Sequence, residues 1–529
     1  MNRPRVVLFL SVVIIACTCV LIYALHPHKV DSAEVIARCS TVGRLPDIRP
    51  AYNGAVIPPN IAPLNFSVQE SGCRYVVRVH AKNGQAIEVL SQSPKISIPQ
   101  HAWRELLDMN RGQQLHLDIF AETEDGRWRH FQTITNRIAN EDIDGYVVYR
   151  KIHPGHTAWR KMGIYQRSLD GFDESVVLDN EYFAQGCLNC HTFCNHRAGR
   201  MLIHTRSAQY GSSAILIENG QASKIGTKFG YTSWHPSGKV AAYSVNMVTQ
   251  FFHSARDEVR DVIDLDSYLA YYLVDSQNIK TTPDLARKDR LETYPAWSPD
   301  GRYLYFCSAP LSWTARDVIP SSYDEVKYDL VRVRYDLDRD QWGELETVLS
   351  GRETGMSILL PRISPDGRWL VFCMCSYGCF PVYQQSSDLY MIDLQAPRQS
   401  GRYKYRRLGC NSDKSESWHS WSSNGRWIAF SSKRQSGVFT RLYLSYVDEN
   451  GRVHKPILLP QKDPTYYDSC LWTYSVPELV VEPVTLTKEK LGRVLRGASQ
   501  IPVQVPITMA TPKAEGLAPH DEPWRESRR

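Results

Sequence analysis

A recurring six-residue signature constrains the fold of this 529-residue chain more than anything else in it. Trp234-His235-Pro236-Ser237-Gly238-Lys239 returns as Trp297-Ser298-Pro299-Asp300-Gly301-Arg302, as Ile363-Ser364-Pro365-Asp366-Gly367-Arg368 and as Trp421-Ser422-Ser423-Asn424-Gly425-Arg426. Each copy runs into a short apolar stretch: VAAYSVN, YLYFCS, WLVFCM or WIAFSS. A Pro-Asp-Gly turn between two runs of strand-forming residues is a hairpin signal, so each copy reads as strand, turn, strand. The four glycines stand 63, 66 and 58 residues apart, which is room for four strands and an insertion. Third strands follow at 328–337, 387–394 and 441–448, and a short fourth such as ETVLS at 346–350 ends the unit. Four-stranded units repeated in this way are the blades of a β-propeller, whereas a solenoid has a shorter period.

Two further blades lie upstream. Gly199 to Thr205 aligns with Gly301 to Cys307, and runs at 146–152, 162–169 and 174–180 supply another, for a total of six. Ahead of them, runs of alternating character at 75–80, 95–98, 115–122 and 127–135, with Asp125-Gly126 between the last two, predict a small β-sandwich-like domain over 58–138. The expected fold is therefore all-β: a six-bladed propeller over 139–485 preceded by that small domain.

In the upstream copy, the place of Trp-Ser-Pro is taken by Cys190-His191-Thr192-Phe193-Cys194-Asn195-His196. Cys187-Leu188-Asn189-Cys190-His191 has the Cys-x-x-Cys-His spacing that attaches a c-type haem. Two thiols three residues apart form thioethers to the two vinyl groups of one porphyrin, and the histidine that follows becomes the proximal iron ligand. Two other chemistries suit the same residues. Cys-x-x-Cys is also a redox disulfide, and Cys187, Cys190, His191, Cys194 and His196 are a donor set for structural zinc.

Residues 6–25, after Arg3 and Arg5, are twenty residues without a charge, the length that spans a hydrocarbon core of about 30 Å. The arginines before the run, and no comparable cluster after it, place the N-terminus in the cytoplasm and the rest of the chain across the inner membrane, in the periplasm. A cleaved signal peptide and a lipobox at 14–17 are the alternatives. Residues 26–57 read as a linker, and 486–529, with prolines at 502, 506, 512, 519 and 523, as a disordered tail. A net charge of +6 from 62 basic and 56 acidic residues, without a long basic run, leaves no nucleic-acid footprint. Of 13 cysteines, two lie in the apolar run and two in the motif; the remaining nine cannot all pair, with Cys375 and Cys379, or Cys410 and Cys470, as candidate bridges.

From about residue 58 to 485, the segments PPNIAPLNF, CLNCHTF, SWHPSGK, SPDGRWLVF, SESWHSWSSNGRW and HKPILLPQKDP resemble a family of bacterial TolB-like propeller proteins that bear one c-type haem motif. The resemblance implies a TolB-like propeller and one covalent haem c on Cys187 and Cys190, with His191 on the iron. It implies no reaction, and likeness to TolB itself covers the propeller alone. Ile363, where other copies carry Trp, is a departure that bears on packing.

The function expected from these features is electron transfer between a membrane-anchored periplasmic haem protein and a partner redox protein. One alternative is a scaffold with a structural haem whose propeller binds protein or polysaccharide; another is a haem enzyme with an open distal site, so whether the chain is an enzyme stays open. Insertions at 246–267, 309–327 and 375–387 are expected to overhang the haem, with His253 as the candidate distal ligand and Met247, Met201 and His196 behind it; Met201, His196 and His204, close in sequence, read as strand residues facing a blade. His235 and His419 are assigned no catalytic role. The chain has no Gly-x-Ser-x-Gly and no Gly-x-x-x-x-Gly-Lys-Ser/Thr.

Overall fold

The repeated turn is built by its own side chains. Ser298 Oγ donates to Asp300 Oδ1 (2.6 Å) and accepts from Tyr303 N (3.0 Å), and Ser422 makes the same pair of bonds with Asn424 and Trp427. Gly238, Gly301, Gly367 and Gly425 follow with φ between +67° and +74°, a region that costs a residue with a Cβ. In the computed structural model, which describes residues 32–153, 161–253 and 259–501, these turns join the first two strands of successive sheets.

The described residues are nearly all β and fall into many small sheets. Six are four-stranded and antiparallel. The second consists of Cys187–Cys194, Arg197–Ser207, Gly211–Glu218 and Gln221–Ile225, in that order. The third, fourth, fifth and sixth have Thr232–Trp234, Arg290–Trp297, Ser357–Ile363 and Glu416–Trp421 as their first strands. The first sheet joins strands far apart in the chain: Thr473–Val480 pairs with Tyr146–Ile152, Leu479 opposite Val147. Each of these inner strands touches the inner strand of the next sheet, and Thr473–Val480 touches both Glu416–Trp421 and Cys187–Cys194. The arrangement is of the β-propeller kind.

Residues 40–138 form a seven-stranded mixed sheet and a three-stranded sheet. They also contain a helix the alternation pattern did not announce, Gln100–Asp108, which buries Trp103, Leu106 and Leu107. This unit packs on both the first and the last propeller sheets. Arg104 pairs with Asp170 (2.7 Å), Lys95 with Asp463 (2.9 Å), and Tyr52 donates to Leu458 O (3.2 Å).

Three expectations change. The region read as a linker up to residue 57 contributes Ser40–Thr41, Ile48–Arg49 and Val56–Ile57 to these sheets, so its lack of periodicity reflects very short strands. The supposed loop at 246–267 is mostly a continued hairpin, with Asn246 opposite Ser267 and Phe252 opposite Arg260. The segment after Thr485, read as disordered, starts with helix Lys488–Arg496, in which Leu491 and Leu495, four residues apart, are buried against the first two sheets while Thr487 caps Lys490 N. Residues 502–529 and the apolar run at 6–25 lie outside the described residues. Among the described ones no helix is long and apolar enough to cross a membrane.

Candidate functional site

The chain enters the Cys-x-x-Cys-His strand through a tight corner. Ala184 and Gln185 are left-handed (φ 56° and 52°), and a Cβ on Gly186 would lie 2.5 Å from the Phe183 ring and 2.7 Å from Arg206 O. Only glycine fits there. In the strand, Leu188 pairs with Thr205 and His191 with Ile203, so Asn189 and Cys190 form a bulge without ladder partners. Inner strands of other sheets break at the same level: Tyr294-Pro295, Leu360-Pro361, Trp418-His419 and Val476-Pro477, each with its first residue left-handed. Counting from these breaks, His191 occupies the register position of Ala296, Arg362, Ser420 and Glu478, and the shared Trp-x-Pro turn adds Ser233 to the set.

Ser233, Ala296, Arg362, Ser420 and Glu478 line one cavity between the inner strands, together with Thr192 and Phe193, the two residues after His191, which is not itself part of the lining. It is an open cleft with room of about 360 Å³. Arg362 holds Glu478 at 2.9 Å and keeps 31% of its side-chain surface exposed. Burial raises the pKa of Glu478, against the pull of Arg362 and His196. Ser420 Oγ is buried without a hydrogen-bond partner.

His191 is 2% exposed. Its Nε2 lies 3.4 Å from Val148 O, and its Nδ1 has no hydrogen-bond partner. Burial pulls its pKa down to about 3, with Arg150 and Arg362 acting in the same direction, so the ring is neutral at pH 7. Burial also raises the thiols of Cys187 and Cys190, the latter to about 12. Cys187 packs in the apolar cluster with Leu188, Phe193 and Val148. Cys190 instead borders a narrow packing gap with Leu202, Ala214, Phe229 and His204. His204, 4% exposed, has no partner on either nitrogen, and burial lowers it to about 3. Its sequence context reads only as that of a strand residue, and the two bare nitrogens are what single it out.

His253 is not brought to the motif. Thr232 borders the Cys190 void and pairs with Tyr243, and His253 lies ten residues farther along, at the end of the hairpin. At about 3.3 Å per residue that is roughly 30 Å of strand. There its Nε2 is 3.2 Å from Asp261 Oδ2, which also accepts from Tyr377 Oη (2.6 Å). The three insertions do meet one another, around a small gap bordered by Asp261, Asp264, Trp313, Tyr328 and Cys379. The zinc reading finds no support in side-chain placement: among the described residues no three His, Cys, Asp or Glu converge as metal ligands, and His196 Nδ1 instead lies 3.0 Å from Leu479 O. Cys375, Cys379, Cys410 and Cys470 are free thiols.

Two thiols, a neutral imidazole and a buried nitrogen without a partner are the donors a c-type haem requires, so the residues fit that group in kind. Space adds a condition. The gap beside Cys190 has no room even for a water molecule, so the 187–191 segment must open for the thiols to reach a porphyrin.

No family model matches the chain, and neither does any curated protein. Among solved structures it is similar to a puromycin hydrolase, with 16% identity and a TM-score of 0.34 over 59% of this chain and 45% of that one. It is also similar to the β-propeller domain of the Trilobed protease from Pyrococcus furiosus (11%, TM-score 0.31, 73% and 99% of the chains) and to Kuenenia stuttgartiensis hydrazine synthase (11%, 0.27, 49% and 76%). The chain thus spans less than half of the hydrolase. At these scores the fold rests on the chain's own strand order, and no activity is carried across.

Proposed function

We propose that this chain is a closed six-bladed, TolB-like propeller that carries one covalent haem c on Cys187 and Cys190, with His191 as proximal ligand, and exchanges electrons with a partner redox protein. Residues 6–25 would anchor it in the inner membrane, with the globular part in the periplasm. The observation that carries this reading is His191: directly after Cys-x-x-Cys, neutral, 2% exposed, with Nδ1 unpartnered. Leaving a buried polar group unpaired costs about 1–3 kcal/mol, a cost a metal bond on the imidazole would offset. The bound haem would supply a one-electron iron couple. The chain's part is to keep the imidazole neutral and to exclude water around it.

The depth of the motif favours a second reading, in which the haem braces the propeller and the rim binds protein or polysaccharide, because electrons must reach a site whose ligand is almost wholly buried. Both readings predict the same first result. Produced with a c-type maturation system, the protein should give an alkaline pyridine haemochrome with the band of saturated thioether links, and Cys187→Ser with Cys190→Ser should abolish it. One equivalent of zinc and no haem would overturn both. Reversible reduction by a soluble mediator separates electron transfer from a bracing role, and His253→Ala should leave the spectrum unchanged.

A further inference from the structure

The Cys-x-x-Cys-His segment has to open before a porphyrin can reach its thiols, and one helix grips the corner that leads into it. That corner is the single-turn helix Asn180–Phe183 followed by Ala184, Gln185 and Gly186. From the helix Lys488–Arg496, Glu489 Oε1 accepts a hydrogen bond from Tyr182 Oη (3.0 Å) and Arg496 Nη1 donates to Tyr182 O (2.5 Å). The Lys488 ammonium lies 5.5 Å from the centre of the Tyr182 ring, and a Cβ on Gly492 would stand 2.8 Å from the Tyr182 Cβ. Beneath these contacts, Leu491 and Leu495 share one apolar cluster with Phe183, Cys187 and Leu188. Both ends of the segment are fastened. Gln166 exchanges two hydrogen bonds with the backbone of Val484 (2.9 and 2.7 Å), and Lys224 Nζ donates to Leu495 O (2.9 Å), a cation at the helix's negative end.

The corner and its cover differ in what holds them. Ala184 and Gln185 are consecutive left-handed residues with a Cβ, a conformation that persists only while the surroundings impose it. The helix supplies part of that constraint, yet it is itself held by two buried leucines and by polar bonds from Glu489 and Arg496, which are exposed. Elements held so lightly open locally at a fraction of the cost of global unfolding. We propose that the helix Lys488–Arg496 is a latch on the haem-attachment corner: its release frees Tyr182 and residues 184–191, which brings the thiols of Cys187 and Cys190 within reach, and its return closes the loaded site. The proposal rests on the haem reading above and adds how the group gets in. Chain order agrees with it, because the motif precedes its cover by more than half the length of the chain.

The test is alkylation of the full-length, haem-free protein by N-ethylmaleimide, with each modified cysteine read by peptide mass mapping. Glu489→Ala with Arg496→Ala, both at exposed positions, should raise the rate at Cys187 and Cys190 about threefold or more. Leu491→Ala with Leu495→Ala should raise it about thirtyfold or more. Cys307 and Cys373, each 0% exposed in other sheets, should keep their wild-type rates in the first of these variants. If that variant alkylates Cys187 and Cys190 no faster than wild type, or if Cys307 and Cys373 rise in step with them, the latch is overturned. Wild type that gives no haemochrome when produced with a maturation system overturns the haem reading instead, and the alkylation rates then decide on their own whether the corner opens with the helix.

Discussion

Replacing His204 by leucine should stabilise this protein, and do so more as the pH falls. His204 is 4% exposed and neither ring nitrogen has a hydrogen-bond partner, while Leu202, Ala214 and Phe229 surround it with apolar surface. An unpaired buried polar group costs about 1–3 kcal/mol, and an apolar replacement of similar volume removes that cost. The charges facing it, Arg206 and Lys228, add to burial in holding its pKa near 3. The unfolded chain takes up a proton at about 6.5, the folded chain does not, and stability therefore drains away as the pH falls from about 6.5 towards 3. At pH 5 this term alone is roughly 2 kcal/mol. In a Cys187→Ser, Cys190→Ser background, so that no haem intervenes, urea unfolding of His204→Leu should show a gain of about 1–3 kcal/mol at pH 7.5, a gain larger by roughly 2 kcal/mol at pH 5, and one proton fewer in the pH slope. A variant that is less stable at both pH values with an unchanged slope would show that the nitrogens are satisfied and the reasoning wrong.

Two other expectations concern the ends of the chain. Leu491→Ala and Leu495→Ala, in the helix after Thr485, should each cost about 2–5 kcal/mol and speed proteolytic release of the C-terminal segment; no change in either would return that segment to a solvated tail. A reporter fused after Thr485 should be active only outside the cytoplasm, with the protein staying in membranes through a carbonate wash, whereas a soluble species starting near Ala33 would show a cleaved leader.

What the sequence made legible was local. The Trp-Ser-Pro-Asp-Gly turn is self-contained: serine, aspartate and glycine build it without help from the rest of the chain, so its recurrence announced the sheets and their first two strands. Non-local pairing left no such trace. Thr473–Val480 contains a proline and looks like the end of the last repeat, yet it is the inner strand of the first sheet, because the free edge of Tyr146–Ile152 has to be covered by something and the far end of the chain arrives there. The same limit explains the helix after Thr485. Its two leucines make sense mainly against residues such as Val177, Phe183 and Ile217, more than two hundred positions away in sequence, and the prolines farther on mask them.

The motif shows the limit most sharply, because its spacing was legible and its orientation was not. In an unbroken strand residues two apart share a face, so Leu188 and Cys190 would point one way and His191 the other. The bulge at Asn189-Cys190 adds one residue and reverses that parity: Leu188 opposite Thr205 and His191 opposite Ile203 now lie on the same side, and Cys190 turns to His204 instead. No residue in CLNCH marks the bulge. It becomes evident only when the inner strands are set side by side and Tyr294-Pro295, Leu360-Pro361, Trp418-His419 and Val476-Pro477 break at one level. The break that these inner strands share is thus what sets the imidazole at the register position of Arg362 and Ser420.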